Sequence, residues 1–179
     1  MSYHAALAHF PKMNYNRYQK LAAYFSDLSR NSGTPPHGGG KTYLWEAEIG
    51  ELIEAGLEEN IAAEFLAWRE KNSLEKIAEN LTRHGITTIS INDPAYPSLL
   101  KEINDPPYTL FIRGKLPNPN SPTLGVVGTR KFTAYGKSSC QEIVGPLVGQ
   151  GVVIVSGLAF GIDAIAHQTT LDNKGITIA

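Results

Sequence analysis

The chain has one cysteine, Cys140, in 179 residues. An intrachain disulfide is therefore excluded, as is a thiolate cluster for structural zinc, and Cys140 reads as a small core residue on a helix. No run approaches the roughly 18 apolar residues that a membrane span requires. The opening M-S-Y-H-A-A-L-A-H-F lacks the basic stretch and long apolar core of a signal peptide, so no membrane partner is expected and the cytoplasm is the expected compartment. Charge of one sign is missing too: 16 basic against 17 acidic residues leave a net charge of −1. Overall charge thus advertises no polyanionic partner, and any such binding has to come from a local site. Charged tails and internal repeats are also absent from the pattern.

What is present is enough apolar material for a core, 42% of the residues. Residues 1–85 read as an N-terminal helical domain. Leu7, Phe10, Leu21, Phe25 and Leu28 mark one or two helices between 4 and 30, interrupted at Pro11, and a Gly- and Pro-rich loop is expected at 31–41. Helices resume with Ile61, Ala62, Phe65 and Leu66 on one face. Leu74, Ile77, Ala78 and Leu81 follow at i, i+3, i+4, i+7, with Ser73 as N-cap and a stop at Gly85. Residues 86–122 read as short strands and a connecting strap, with I-T-T-I-S-I as one strand, a second ending at Gly114, and a linker at Pro117 to Pro122.

From 123 to 179 the pattern is α/β. Strand L-G-V-V is followed by a turn G-T-R and a helix from about Thr133 to Gln150, which Pro146 should kink or shorten. Strand V-V-I-V, turn S-G-L-A-F-G, a helix to about Asn173 and a last strand Ile176 to Ala179 complete it. Such runs fit a parallel, Rossmann-like sheet with helices on both faces, here incomplete at its C-terminal end.

Two strand-to-helix turns carry the chemistry, at the sheet edge where α/β folds bind ligands. In V-V-G-T-R, Gly128 permits close approach and Arg130 offers a fork of donors suited to phosphate. In V-S-G-L-A-F-G, Gly157 and Gly161 permit positive φ and open a helix whose N-terminus favours an anion. Neither turn is G-x-G-x-x-G, and glycines that only tighten two bends are the plainer reading. Gly38 to Thr42, G-G-G-K-T, has Pro35 where a phosphate-binding P-loop needs glycine and no buried strand before it, so it reads as a surface loop. Ser156, Asp163 and His167 imitate a hydrolase triad without the G-x-S-x-G elbow; Asp163 is expected to cap its helix and pair with His167 at i, i+4. No third ligand lies near enough in sequence for a metal, and no catalytic group or cofactor is expected. Phe132 and Phe160, in or beside the turns, are the better candidates for base stacking.

Taken together, Y-P-S-L-L-K-E-I-N-D-P-P-Y-T-L-F-I-R-G, then G-V-V-G-T-R with Tyr135-Gly136 downstream, then V-S-G-L-A-F-G-I-D-A-I-A-H and G-I-T-I-A, resemble the DNA-processing protein A (DprA/Smf) family, densely from Tyr96 to Ala179. The resemblance implies a non-enzymatic protein that binds and protects single-stranded DNA and loads the RecA recombinase onto it in natural transformation. It also implies a sterile-alpha-motif-like helical domain before an extended Rossmann domain, and a homodimer formed through parts of that domain beyond G-I-T-I-A. The chain is accordingly expected to be truncated within the Rossmann domain. Carried over, Gly128, Thr129 and Arg130 with Ser156, Gly157, Leu158, Ala159, Phe160 and Gly161 would form the DNA phosphate site, Ser156 and Gly157 as donors. Tyr135, Gly136, Asp163 and His167 would shape it. Thr129 stands where the family often has serine and keeps the hydroxyl. The alternative from another class is a Rossmann-type nucleotide or phosphoribosyl-binding enzyme or carrier that uses the same two turns.

Overall fold

The computed structural model describes residues 3–31 and 43–179; the expected loop beyond Asn31, with its G-G-G-K-T segment, lies outside the described residues. The chain divides into two compact units, Met1–Gly114 and Lys115–Ala179.

The first unit is mainly helical: α1 (Tyr3–Leu7), α2 (Tyr15–Asn31), α3 (Tyr43–Glu46), α4 (Ile49–Glu54), α5 (Glu59–Lys71) and α6 (Leu74–Arg83). Pro11 falls between α1 and α2, and the Asn14 side chain accepts from the Arg17 N–H at 2.9 Å to start the second. Ser73 caps α6 as its sequence indicates, accepting from the Lys76 N–H at 3.3 Å, and Gly85 leaves the helix at φ +63°. The apolar faces close on Leu7, Leu21, Leu52 and Phe65, all fully buried, with Phe10, Trp45 and Trp68 ringed around Phe65. Strand β1 (Ile86–Ser90) pairs antiparallel with β2 (Thr109–Arg113), from Ile86 opposite Arg113 to Ser90 opposite Thr109, and a short helix α7 (Ser98–Lys101) lies between them. Ile91, Tyr96 and Tyr108 enter the same core as the helices. Packing therefore carries this unit to Gly114, past the point where the helical pattern ends.

The second unit is a parallel sheet in the order β3 (Thr123–Gly125), β4 (Val153–Val155), β5 (Thr177–Ile178), with Leu124, Ile154 and Thr177 in register. The crossovers are α8 (Ala134–Gly149) and α9 (Ile162–Asp172). Cys140, Val144 and Val148 of α8 meet Ile154 of β4 and Ala166 of α9 in one small core. Burial raises the Cys140 thiol pKa, which suits its expected core role. Each strand is added on the same side of the last, so right-handed crossovers put both helices on one face of these three strands, where they pack against each other. The α/β class is as the sequence indicates, while cover on both faces is not reached within these residues. Pro146 does not end α8 early: it sits on the exposed side of the last turn, and the helix runs through it to Gly149.

Candidate nucleic-acid interface

The two turns after β3 and β4 are tied to each other by short bonds. The Val126 N–H donates to the Val155 carbonyl at 2.8 Å and extends the strand pairing by one residue. The Ser156 hydroxyl donates back to the Val126 carbonyl at 2.8 Å, and the Ile162 N–H, at the start of α9, donates to the Thr129 carbonyl at 3.2 Å. Gly161 makes this approach possible. Its φ is +92°, and a Cβ there would lie 2.2 Å from the Thr129 oxygen and 2.6 Å from the Arg130 Cα. Gly128 is as tight: a Cβ would fall 2.6 Å from the Ile162 side chain. The structure thus brings Gly128, Thr129, Arg130, Ser156, Gly157 and Gly161 together, and the glycines of the two turns meet each other's backbone and side chains.

Several side chains expected to face a ligand are used inside this frame. Ser156 is buried and its hydroxyl proton is committed to Val126. The Gly157 N–H donates to Asp163 Oδ2 at 3.1 Å, so the buried aspartate braces the second turn. Thr129 Oγ1 accepts from the Lys131 N–H at 3.1 Å. Thr133 caps α8 by accepting from the Gly136 N–H at 3.1 Å. The donor roles expected of Ser156 and Gly157 toward phosphate are thus taken up by internal bonds, because Ser156 joins the two turns through Val126 and Gly157 is bonded to Asp163 within the second turn and its helix.

Asp163 and His167 do not pair as their spacing suggested. The Thr177 hydroxyl gives its only proton to the Ile154 carbonyl at 2.9 Å. His167 Nδ1, 2.7 Å from the Thr177 oxygen, must therefore be the donor there. The imidazole fastens α9 to β5, with Nε2 buried and without a protein partner among the described residues. Ser156, Asp163 and His167 thus point to three different partners, so no triad forms. Among the described residues no group of three or more His, Cys, Asp or Glu is placed to hold a metal. Likewise no described helix is long and apolar enough to cross a membrane. An open groove of about 440 Å³ between α8 and α9, lined by Gln141, Gly145, Pro146, Thr169, Asp172 and Asn173, contains none of the expected site residues.

What the frame displays outward is different in kind. Arg130, Lys131 and Lys137 are exposed on the first turn and the start of α8. The second unit holds Lys115, Arg130, Lys131, Lys137 and Lys174 against Glu142, Asp163 and Asp172, so it is basic although the chain is not. Of those three acids, Asp163 is buried and Glu142 accepts from Ser138 at 2.8 Å. In the first unit, by contrast, Lys12 donates to Glu64 at 2.7 Å and Arg17 to Glu58 at 3.0 Å. Beside these exposed cations stand Val127, Tyr135, Leu158 and Phe160, each more than 70% exposed, with Phe132 at 44%. Sequence reasoning found Phe132, Tyr135, Leu158 and Phe160 but missed Val127, whose strand-like run suggested burial. Lys131 and Lys137 were also missed, although their spacing from Arg130 was there to be read.

The sequence profile described as DNA recombination-mediator protein A matches residues 87–179. DNA processing protein DprA of Bacillus subtilis is 40% identical over 116 residues, covering 60% of this chain and 39% of that protein. Protein Smf of Escherichia coli is 35% identical over 128 residues, covering 72% of this chain and 34% of its own length. The X-ray structure of DNA processing protein A from Streptococcus pneumoniae superposes with a TM-score of 0.67 at 26% identity, covering 99% of this chain and 55% of that one. The chain therefore spans roughly a third to just over half of the length of these three relatives. With the profile covering more than half of the chain, from Thr87 in β1 through the whole two-turn edge, this chain belongs to the DNA recombination-mediator protein A family.

Proposed function

We propose that the chain binds single-stranded DNA along the edge where the two turns meet, and that by this binding it serves RecA loading in recombination and transformation. The observation that carries the reading is the grouping of Arg130, Lys131 and Lys137 with exposed aromatic and aliphatic side chains on a braced frame. Cations follow a phosphate backbone, and apolar faces suit bases that are not paired. Within this reading Arg130 contacts phosphate, while Gly128, Thr129, Ser156, Gly157, Ala159 and Gly161 hold the turns in place. Tyr135 and Gly136 begin α8 beside them. Self-association and the recombinase contact belong to the same proposal through the family.

The rival, a nucleotide or phosphoribosyl-binding enzyme or carrier, would need inward-facing donors for a compact phosphate. The Ser156 hydroxyl and the Gly157 N–H are spent on Val126 and Asp163, which speaks for an extended ligand lying across the edge. The test is fluorescence anisotropy of a labelled single-stranded oligonucleotide at several salt concentrations. Each phosphate contact contributes about −0.7 to the log–log salt slope for single strands. Arg130→Ala should bind more weakly and lose about one such contact from its slope. Binding that ignores salt, or a variant that binds like the parent, would refute the placement of phosphate on the first turn.

A further inference from the structure

The sheet of the second unit runs β3-β4-β5, so the outer side of β3 is an open edge among the described residues. The bonds on its inner side show which backbone groups face out. The Pro122 carbonyl accepts from the Val153 N–H at 2.8 Å, and the Val126 N–H donates to the Val155 carbonyl at 2.8 Å. Alternate residues of a strand send their N–H and C=O groups to opposite sides, so Thr123, Gly125 and Val127 direct theirs outward. All three residues are exposed, and a Cβ added at Gly125 would meet nothing within 4 Å. Such an edge is a template for another strand, which proteins commonly discourage with charged side chains. Here none is present: no Asp, Glu, Lys or Arg stands between Lys115 and Arg130.

The edge is also complementary to itself. Two copies set antiparallel about Gly125 place Gly125 opposite Gly125 and Thr123 opposite Val127 on either side. Every outward residue then meets an outward residue, as the hydrogen-bonded pairs of an antiparallel ladder require. A twofold axis normal to the sheet keeps the helices of both copies on one face. On α8, Gln141 and Gly145 line the groove toward α9. Ile143 and Leu147 each follow two residues later, about 200° around the helix, and so lie on the side away from α9, toward the outer edge of β3. Ile143 is 60% exposed there, and the same axis sets it at the seam between two α8 helices. Contact of like with like suits a neutral surface, since the unit as a whole, with five basic and three acidic residues, would repel its copy.

We propose that the outer edge of β3 is a self-association surface, where a second copy of this chain pairs antiparallel about Gly125 and the two three-stranded sheets become one of six strands. A second copy is the occupant because the backbone register, the missing charge and the Ile143 side of α8 all obey one axis. The surface lies before G-I-T-I-A, so it is distinct from the dimer region that the family resemblance implies. It needs no DNA, and the reading of the two turns stands or falls separately.

The experiment is analytical ultracentrifugation of the full chain, of Gly125→Asp, of Gly125→Lys and of an equimolar mixture of the two variants. The fold has room for a side chain at this position, and its φ is not positive. The parent should move toward twice 19.5 kDa as its concentration rises through the micromolar range. Each variant alone puts like charges face to face on the axis and should associate about tenfold more weakly or worse. The mixture should recover the dimer, since Asp then faces Lys, and that recovery separates repulsion at the edge from damage to the fold. Amide exchange at Gly125 should also slow as the parent is concentrated. A parent that stays monomeric would overturn the proposal, as would variants that associate like the parent. So would a mixture that associates no better than either variant alone.

Discussion

Gly161→Ala is the substitution that most directly tests how the two turns are joined. The added methyl would stand 2.2 Å from the Thr129 carbonyl oxygen and 2.6 Å from the Arg130 Cα, both backbone atoms that no rotamer change can move aside. The native φ of +92° adds a conformational cost of about 1–2 kcal/mol for a residue with a Cβ. Relief of the clash separates the turns and gives up the 3.2 Å bond from the Ile162 N–H to Thr129, worth about 0.5–1.5 kcal/mol. With about 1–3 kcal/mol for overpacking, the expected loss is about 2.5–6.5 kcal/mol, a large fraction of a small unit's stability. Amide hydrogen exchange along β4 and α9 is the suitable assay. Both tryptophans, Trp45 and Trp68, pack in the first unit and report on that unit instead. Exchange there should accelerate by two orders of magnitude or more, roughly as that energy converts. Gly149→Ala serves as the control: it lies in α8 with open space around the new methyl, and it should be neutral or more stable by up to about 1 kcal/mol. Parent-like exchange in Gly161→Ala would refute the account of the joined turns.

Two further outcomes follow from local geometry. Lys174, exposed at φ +57° just past α9, occupies a position where glycine is preferred, so Lys174→Gly should raise the stability of the second unit by about 0.5–1 kcal/mol in urea titration. Glu58 is held below its ordinary value of 4.5, first by the hydrogen bond from Arg17 and then by its own backbone bond. Its folded value being the lower one, its contribution is complete above about pH 4.5 and is lost as pH falls from there through the lower folded value. Acid unfolding followed by tryptophan fluorescence should therefore be less steep below that pH in Glu58→Gln; an unchanged profile would show that the pair contributes nothing measurable.

How much could be read from the residues differs between the two units. Ser73 and Gly85 bracket α6 because capping is a local matter, settled within three or four residues. Ile86–Ser90 reads as a strand for a similarly local reason, its β-branched residues. That it pairs antiparallel with Thr109–Arg113, across α7 and with Tyr96 and Tyr108 in the helices' core, depends on contacts far apart in sequence. Pro146 shows the reverse case, a strong local rule overridden because an exposed position in a last helical turn accommodates the ring.

By itself the sequence determined the parallel strands, their crossover helices and the location of two glycine-bearing turns, since each rests on periodicity and on the backbone freedom of particular residues. It also supplied the motifs by which the family is recognised. Only the tertiary structure decided what the polar groups of those turns do. Ser156, Asp163 and His167 are turned inward to Val126, Gly157 and Thr177, while Leu158 and Phe160 are turned outward beside Arg130. The reason is hydrogen-bond satisfaction: donors and acceptors brought together by folding must pair with one another. Ser156 finds a partner thirty residues away along the chain, and Asp163 and His167 find theirs within ten, where the strand, turn and helix meet at one edge.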